Sequence, residues 1–284
     1  LLKDLGIEFK TGKSLGVDFT VDSLKAEGYS AIYIGIGAQE GQRLNIPGED
    51  AQGVYPAISF LKSVYDGDVP NIGKKVVVIG GGFTAVDSAR TAKRLGAEEV
   101  YIAYRRTKDE MPASEQEIAE AEEEGIKIMY LVAPKEIVTQ NGKVTGITMI
   151  NQVLGEKDES ERRRPEAVDA AQFTLPCDTV IAATGQKPEQ SATKDLKTDK
   201  KGMIVVVPST GATNVEGVYA GGDVVNVENV IAAIAAGKRG AVSIDKYIAK
   251  ENATLEYEPD YPEVSKEAVL KRTGYFKDNG PIDI

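Results

Sequence analysis

The chain of 284 residues carries 34 basic and 44 acidic side chains, and its net charge of −10 argues against nucleic acid as the main partner because like charges repel. It contains no histidine and one cysteine, Cys177, which argues against a metal site, Ser-His-Asp catalysis and an internal disulfide or CxxC redox pair. No apolar run approaches the ~20 residues that cross a bilayer and no secretory signal opens the chain, so we predict a cytoplasmic protein without membrane contact.

The first part of the chain is predicted to contain short helices and strands. In chain order these are a helix end at the N-terminus, a strand at 7–13, a helix at 20–28, a buried strand at 31–38 and a helix at 57–67. The turn-rich stretch DVPNIGKK then marks the first predicted domain boundary. Because the chain starts inside the first helical pattern and not at a methionine, we expect it to be a piece of a longer protein.

From Lys75 onward, strands alternate with helices. The pattern predicts a strand at 76–79, a helix at 84–95, a strand at 99–104, a helix at 114–124 and a strand at 126–131. Such alternation is typical of βαβ units and a parallel sheet, so the predicted fold class is α/β with three layers.

The pattern then turns to β structure before a long closing helix. Asn141-Gly142 lies between two β-like segments and predicts a hairpin, whereas the charged run 155–167 is predicted to be a solvated loop and not a binding patch. Further strands are predicted at 178–185, 202–207 and 217–220, with a helix at 227–248. The last ~35 residues are polar and predict an extended tail. Cys177 precedes a buried strand and is predicted to be a small core residue.

The stretch VVVIGGGFTAVDSA contains the motif GxGxxA between a strand and a helix. In that context the first glycine permits a tight turn, the second lets the backbone approach a pyrophosphate, and the small third position packs helix against strand. The phosphate would lie on free amides at the positive end of the helix, whereas the alternative is an ordinary glycine-rich turn. The candidate nucleotide-binding residues are Gly80, Gly81, Gly82, Phe83, Thr84 and Ala85.

Two arginines at the end of the second strand bear on which dinucleotide is bound. Arg105 follows Gly80 by 25 residues, Arg106 comes next, and no carboxylate stands before them to accept hydrogen bonds from an adenosine ribose. Guanidinium groups are always charged and bind phosphate with two hydrogen bonds, so the pair favours the 2′-phosphate of NADPH over NADH. The alternative is a solvated strand end.

A second glycine turn occurs in GVYAGGDVVNVENVIAAIAAGKRGA. Gly222 would let a bulky ligand approach the main chain, and the Asp223 carboxylate could accept a hydrogen bond from a sugar-like hydroxyl. A helix that Asn226 could cap would present amides near Asn229 and Val230 to a developing negative charge. A flavin has complements to all of these groups, but the residues alone leave a purely structural turn equally open.

Several segments together resemble one family of flavoproteins. The C-terminal turn, YSAIYIGIGAQ, LNIPGED, VVVIGGGFTAVDSARTAKRLGAEEVYIAYRR, DEMPA, DTVIAATGQKP and AIAAGKRGAVSIDKYI occur in the order found in the FAD-dependent pyridine nucleotide oxidoreductases. The chain is most similar to the small (beta) subunit of NADPH-dependent glutamate synthase and to the large subunit of ferredoxin:NADP transhydrogenase.

The resemblance implies two Rossmann-like dinucleotide-binding domains, with the NADPH domain inserted into a partial FAD domain. It divides the chain into an FAD segment at 1–73, the NAD(P)H domain at 74–178, a second FAD segment at 179–250 and a tail at 251–284. It further implies that Thr184-Gly185 is the turn where the chain returns to the FAD domain, that Asp223 contacts the ribityl chain, and that Asn229 and Val230 lie at the flavin edge.

The implied reaction is hydride transfer from NADPH to FAD, followed by electron transfer to iron–sulfur centres or to a partner. This step needs orientation more than a titrating side chain, so no catalytic residue is predicted. The family's first FAD fingerprint and its iron–sulfur cysteines should lie upstream of Leu1, in a missing N-terminal portion or subunit. The expected electron partner is a large glutamate synthase-like or ferredoxin-type protein. The alternative is an isolated NADP(H)-binding module without FAD or turnover.

Overall fold

The computed structural model describes residues 3–157 and 163–250. Its strands are β1 Ile32–Ile34, β2 Glu40–Gly41, β3 Val54–Pro56, β4 Lys75–Ile79, β5 Glu99–Tyr104, β6 Lys127–Tyr130, β7 Val132–Gln140, β8 Lys143–Lys157, β9 Arg163–Pro176, β10 Thr179–Ala182, β11 Gln186–Lys187 and β12 Val218–Ala220. Its α-helices are α1 Val21–Ala26, α2 Ala57–Tyr65, α3 Phe83–Arg94, α4 Glu115–Glu123, α5 Gln190–Thr193 and α6 Val230–Ala249. The predicted tail at 251–284 lies outside the described residues.

A parallel sheet with the strand order β3-β10-β4-β5-β6 forms the centre of the first unit. The predicted alternation of strands and helices between residues 75 and 131 is confirmed, because β4, α3, β5, α4 and β6 follow one another as expected. Two of the strands lie outside the range 74–178: β10 pairs with β4, and β3 pairs with β10. The parallel sheet therefore includes one strand that precedes residue 74 and one that follows residue 178.

The central strand β4 separates two hydrophobic cores. Val76 and Val78 face a core that includes the buried residues of α2, α3 and α4. Val77 and Ile79 face the other core, which β4 shares with β7 and β8, because successive side chains of a strand point to opposite faces. The order of layers is therefore helices, parallel sheet and antiparallel sheet.

The antiparallel sheet pairs in the order β7-β8-β9. The predicted hairpin at Asn141-Gly142 is confirmed, since these two residues join β7 to β8 with φ angles of +52° and +76°. The prediction of a solvated loop at 155–167 is partly wrong: Gly155–Lys157 belong to β8 and Arg163–Ala167 to β9, while 158–162 lie outside the described residues. Cross-strand pairing therefore overrides the charged composition of this run.

A second unit is built around β1 and β12, which pair in parallel from Ile32–Val218 to Ile34–Ala220. Its core includes Val21, Leu196 and Val224. The chain leaves this unit through β2 and returns through β11, and these two short strands pair antiparallel. The sequence between them, with β3 to β10, is therefore inserted into the second unit.

Two other local predictions are wrong, and a third, the helix end at the N-terminus, is observed as a 3-10 turn. Residues 7–13 form no strand; their side chains are exposed, and no strand of the described chain pairs with them. At the N-terminus, Lys3–Leu5 form a 3-10 turn, whereas Leu1 and Leu2 lie outside the described residues. The segment 202–207 is not a regular strand, because its amides donate to Lys197, Ala212 and Val224, which lie on separate segments.

Over residues 3–157 and 163–250, no helix has both the length and the apolarity that a membrane span requires. The cytoplasmic location stays a prediction.

Candidate functional site

The glycine turn joins β4 to α3 at the carboxyl edge of the parallel sheet. Gly80 has a φ of +146°, and a Cβ there would collide with the carbonyl oxygen of Ala183. A Cβ at Gly81 would lie 2.5 Å from the ring of Tyr104. The first two glycines are therefore required by contacts within the protein.

Gly82 differs from these two glycines. Apart from its chain neighbours, no heavy atom of the described residues lies within 4 Å of the position that a Cβ would take there. Gly82 is the N-cap of α3 and has no side chain to accept a hydrogen bond from the first amides of the helix. Open space thus adjoins the positive end of a helix, an arrangement that can hold an anionic group.

The residues after Gly82 take different positions. The Phe83 side chain is 51% exposed, whereas Ala85 is fully buried between helix and sheet. The Thr84 hydroxyl accepts a hydrogen bond of 3.2 Å from the side-chain amide of Gln186 in β11. Sequence patterns did not predict this contact, because the two residues are 102 positions apart.

The two arginines after β5 differ in exposure. Since β4 and β5 are parallel and Ile79 is in register with Ala103, the glycine turn and Arg105 lie at the same edge of the sheet. The Arg105 side chain is exposed, but Arg106 is 2% exposed and its Nε donates a 2.7 Å hydrogen bond to the carbonyl oxygen of Arg163. The structure therefore places the Arg105 side chain at the surface and packs Arg106 against the start of β9.

Glu110 links the segment after β5 to the same strand. Its carboxylate accepts from the Thr107 hydroxyl and amide in a capping box, and it accepts a 2.6 Å hydrogen bond from Arg163 Nε. The hydrogen bond from Thr107 and the one from Arg163 hold the Glu110 pKa below its usual value. Sequence reasoning missed Glu110 and Arg163, although the run of arginines in the predicted loop was a usable signal.

The second glycine turn follows β12. A Cβ at Gly221 would collide with the Tyr33 hydroxyl, and one at Gly240 of α6 would collide with the ring of the same tyrosine. Tyr33 of β1 therefore lies between the turn and α6. Gly222 has a φ of +76°, which favours glycine, and Asp223 lies in the 3-10 turn that follows.

The prediction that Asn226 caps the closing helix is wrong. The helix begins at Val230, and the Asn229 side chain accepts a 2.9 Å hydrogen bond from the amide of Ala232. Asn226 donates to Glu228 instead. The Asn229 side chain therefore caps α6, and the amides of the first turn of the helix begin at Val230.

A cavity of about 450 Å³ lies between the second glycine turn and α6. Gly222, Ala233 and Arg239 are among its lining residues. On the first turn of the helix, Val230 and Ile231 are 73% and 79% exposed. The cavity lining combines small apolar residues with the charged side chains of Asp199, Glu228 and Arg239, and Val230 and Ile231 are not among the lining residues.

The candidate residues thus form two groups, one at the β4–α3 turn and one at the β12–α6 turn. Thr184 and Gly185 lie between them along the chain, after β10 and before β11. The Gly185 carbonyl accepts a 2.9 Å hydrogen bond from the amide of Gln42, beside the paired strands β2 and β11. These two residues are therefore part of the connection between the two units.

A glycine turn that opens on a helix N-terminus at the carboxyl edge of a parallel sheet is typical of dinucleotide-binding α/β proteins. The family model described as pyridine nucleotide-disulphide oxidoreductase matches residues 2–237. The chain belongs to the pyridine nucleotide-disulphide oxidoreductase family.

Individual relatives agree with this assignment. The chain is 41% identical over 290 residues to the beta subunit of the NADP(+)-dependent formate dehydrogenase of Moorella thermoacetica, covering 100% of this chain and 40% of that protein. It is 37% identical over 263 residues to the small chain of the NADPH glutamate synthase of Escherichia coli K12, covering 86% of this chain and 56% of that protein. The chain therefore spans about half the length of these relatives.

Solved structures support the fold. FprA of Mycobacterium tuberculosis in complex with NADPH matches with a TM-score of 0.71 at 20% identity, over 92% of this chain and 73% of that one. Thioredoxin reductase of Lactococcus lactis matches with a TM-score of 0.60 at 25% identity, over 78% of this chain and 66% of that one. The predicted α/β fold class is confirmed. The predicted family is confirmed as well, and with it the class of flavoprotein oxidoreductases that use FAD and NADP(H).

Proposed function

We propose that the chain is part of an NADPH:FAD oxidoreductase subunit that passes hydride from NADPH to FAD and electrons onward to iron–sulfur centres or a partner. The observation that carries the proposal is the open space at Gly82, beside two glycines at which a Cβ would collide with Ala183 or Tyr104. The side chain is absent where a ligand would approach the helix N-terminus, and this fits the pyrophosphate of a dinucleotide.

The residues around the β12–α6 turn fit a flavin. Gly222 leaves room for close approach to the main chain, Asp223 offers a carboxylate to a ribityl hydroxyl, and the capped N-terminus of α6 presents amides at Asn229 and Val230. When bound, the two cofactors supply the hydride chemistry. The residues of the chain bind, orient and shield them, which suits a site to which we assign no catalytic side chain.

Relatives suggest a subunit of a larger assembly. The names of the Moorella and E. coli proteins describe subunits of formate dehydrogenase and glutamate synthase. We propose that the chain likewise works with an N-terminal FAD and iron–sulfur portion and with a large synthase-like or ferredoxin-type electron partner. The division at residues 73, 178 and 250 is part of this proposal, with the qualification that β3 and β10 join the sheet of the nucleotide-binding unit.

A second candidate is an NADP(H)-binding module without bound FAD. The exposure of Val230 and Ile231 favours it, because the described residues leave the proposed flavin side of α6 uncovered. The absorbance spectrum of the purified chain separates the two: a stoichiometric flavin band at about 450 nm supports the oxidoreductase and rules out the module. A colourless chain that binds NADPH supports the module.

The nucleotide site is tested by titrating the whole chain with NADPH and NADH. Arg105→Asp places a carboxylate on the exposed side chain after β5, and we expect NADPH to bind at least about tenfold more weakly while NADH is little affected. Lys194→Asp makes the same change of charge at an exposed position in the second unit and serves as the control. Equal losses for both nucleotides in the Arg105 variant would refute the assignment to the 2′-phosphate.

A further inference from the structure

A third arginine lies beside the segment that follows β5. Arg163 is the first residue of β9, and two contacts hold it there: its Nε donates to Glu110 at 2.6 Å, and its carbonyl oxygen accepts from Arg106 Nε at 2.7 Å. The long β8–β9 hairpin therefore brings Arg163 within hydrogen-bonding contact of both Arg106 and Glu110.

The exposure of these side chains divides their roles. Arg106 is 2% exposed, so its guanidinium is enclosed by the protein. The Arg163 side chain is 47% exposed, whereas that of its partner Glu110 is 10% exposed. Of these three side chains, Arg163 is therefore the one whose charged group reaches solvent, and the buried Arg106 and the nearly buried Glu110 hold it in place.

Resting on the proposed NADPH function, we propose that Arg163 binds the 2′-phosphate of NADP(H) and so contributes to the choice of NADP(H) over NAD(H). Glu110 and Arg106 are positioning residues, which fix the side chain and the backbone of Arg163. Arg105, exposed at the end of β5, supplies a second guanidinium at the same edge of the sheet.

The geometry of the guanidinium group supports this role. Arginine has five N–H donors in a rigid plane, and Glu110 takes the one at Nε. This contact fixes the plane of the group and leaves the two terminal nitrogens, which can donate two parallel hydrogen bonds to a phosphate. A lysine at this place would carry the charge without the planar pair of donors.

The test compares adenosine 2′,5′-bisphosphate with 5′-AMP, two probes that differ in the 2′-phosphate. The affinity of the whole chain for each is measured by calorimetry for the wild type, Arg163→Gln and Glu110→Gln. We expect Arg163→Gln to weaken the binding of the bisphosphate about tenfold and Glu110→Gln to weaken it about threefold. The affinity for 5′-AMP should change less than about twofold in both variants. The matched control is Arg164→Gln, an exposed neighbour on the opposite face of β9, which should leave both affinities unchanged.

Each contrary outcome has a distinct meaning. If Arg163→Gln weakens the binding of both probes equally or of neither, the role of Arg163 is overturned while the NADPH function stands. The same holds if Arg164→Gln causes the same selective loss of affinity for the bisphosphate. If the wild-type chain shows no preference for the bisphosphate, the proposed NADPH site itself fails. If Arg163→Gln is unfolded at the assay temperature, Arg163→Lys takes its place, and it should show the same selective loss because it lacks the planar donor pair.

Discussion

Alanine substitutions at two glycines of the β4–α3 turn should affect two different properties, the stability of the fold and the binding of the nucleotide. Alanine at Gly80 would meet the carbonyl oxygen of Ala183, whereas alanine at Gly82 would meet no heavy atom of the described residues within 4 Å beyond its chain neighbours. We therefore expect Gly80→Ala to destabilise the fold and Gly82→Ala to weaken nucleotide binding with little effect on stability.

The expected magnitudes follow from the two environments. At Gly80 the φ of +146° lies in a region that is essentially restricted to glycine, which costs about 1–3 kcal/mol for another residue. The overlap with Ala183 adds about 1–3 kcal/mol, so the free energy of unfolding should fall by about 2–6 kcal/mol. At Gly82 the φ of −91° suits alanine, and the exchange at a helix N-cap costs no more than about 1 kcal/mol.

Thermal unfolding followed by circular dichroism measures the first effect, and fluorescence titration with NADPH measures the second. The melting temperature of Gly80→Ala should fall by at least about 4 °C, since 1 kcal/mol corresponds to about 2–4 °C in a chain of this size. Gly82→Ala should bind NADPH at least about tenfold more weakly, because its methyl group occupies the space left for the pyrophosphate. A Gly82→Ala chain with wild-type affinity would show that no phosphate lies at this turn.

Two further predictions concern titratable groups. Hydrogen bonds from Lys75 and, to a smaller extent, Tyr101 lower the pKa of Glu99 to about 2. The Glu99 carboxylate therefore stabilises the fold at pH values above its unfolded pKa of 4.5, and this contribution is lost as the pH falls from 4.5 towards 2. Urea unfolding should give a lower free energy of unfolding at pH 3 than at pH 7, and the difference should be larger in the wild type than in Glu99→Gln. Burial raises the pKa of the Cys177 thiol to about 12. A thiol reagent at pH 8 should therefore modify Cys177 slowly in the native chain and rapidly in urea. Equal rates of modification would contradict the position of Cys177 in the core.

The local patterns that the sequence carries predicted the nucleotide-binding unit well. The run from β4 through α3 to β5 combines a short apolar strand, three glycines and a helical spacing of apolar residues, all of which act over a few positions. The hairpin at Asn141-Gly142 is likewise local, because these residue types adopt positive φ at low cost. Near neighbours in sequence are sufficient to specify such elements.

Contacts between distant segments account for what the sequence left open. The segment 163–167 is charged and was predicted to be a loop, yet it becomes a strand because β8 offers it a partner. Likewise, 202–207 is apolar and is not a strand, since its amides bond to separate segments. Composition alone does not say which partner a backbone will find.

The same distinction holds at the candidate site. The sequence by itself determined that glycines join β4 to α3 and that Arg105 and Arg106 follow β5. Only the tertiary structure decided that Gly81 is needed because of Tyr104, that Gly82 faces open space, and that Arg106 is buried against Arg163. The physical reason is that side-chain direction and exposure depend on which segments pack together, and this is set across the whole chain rather than within a motif.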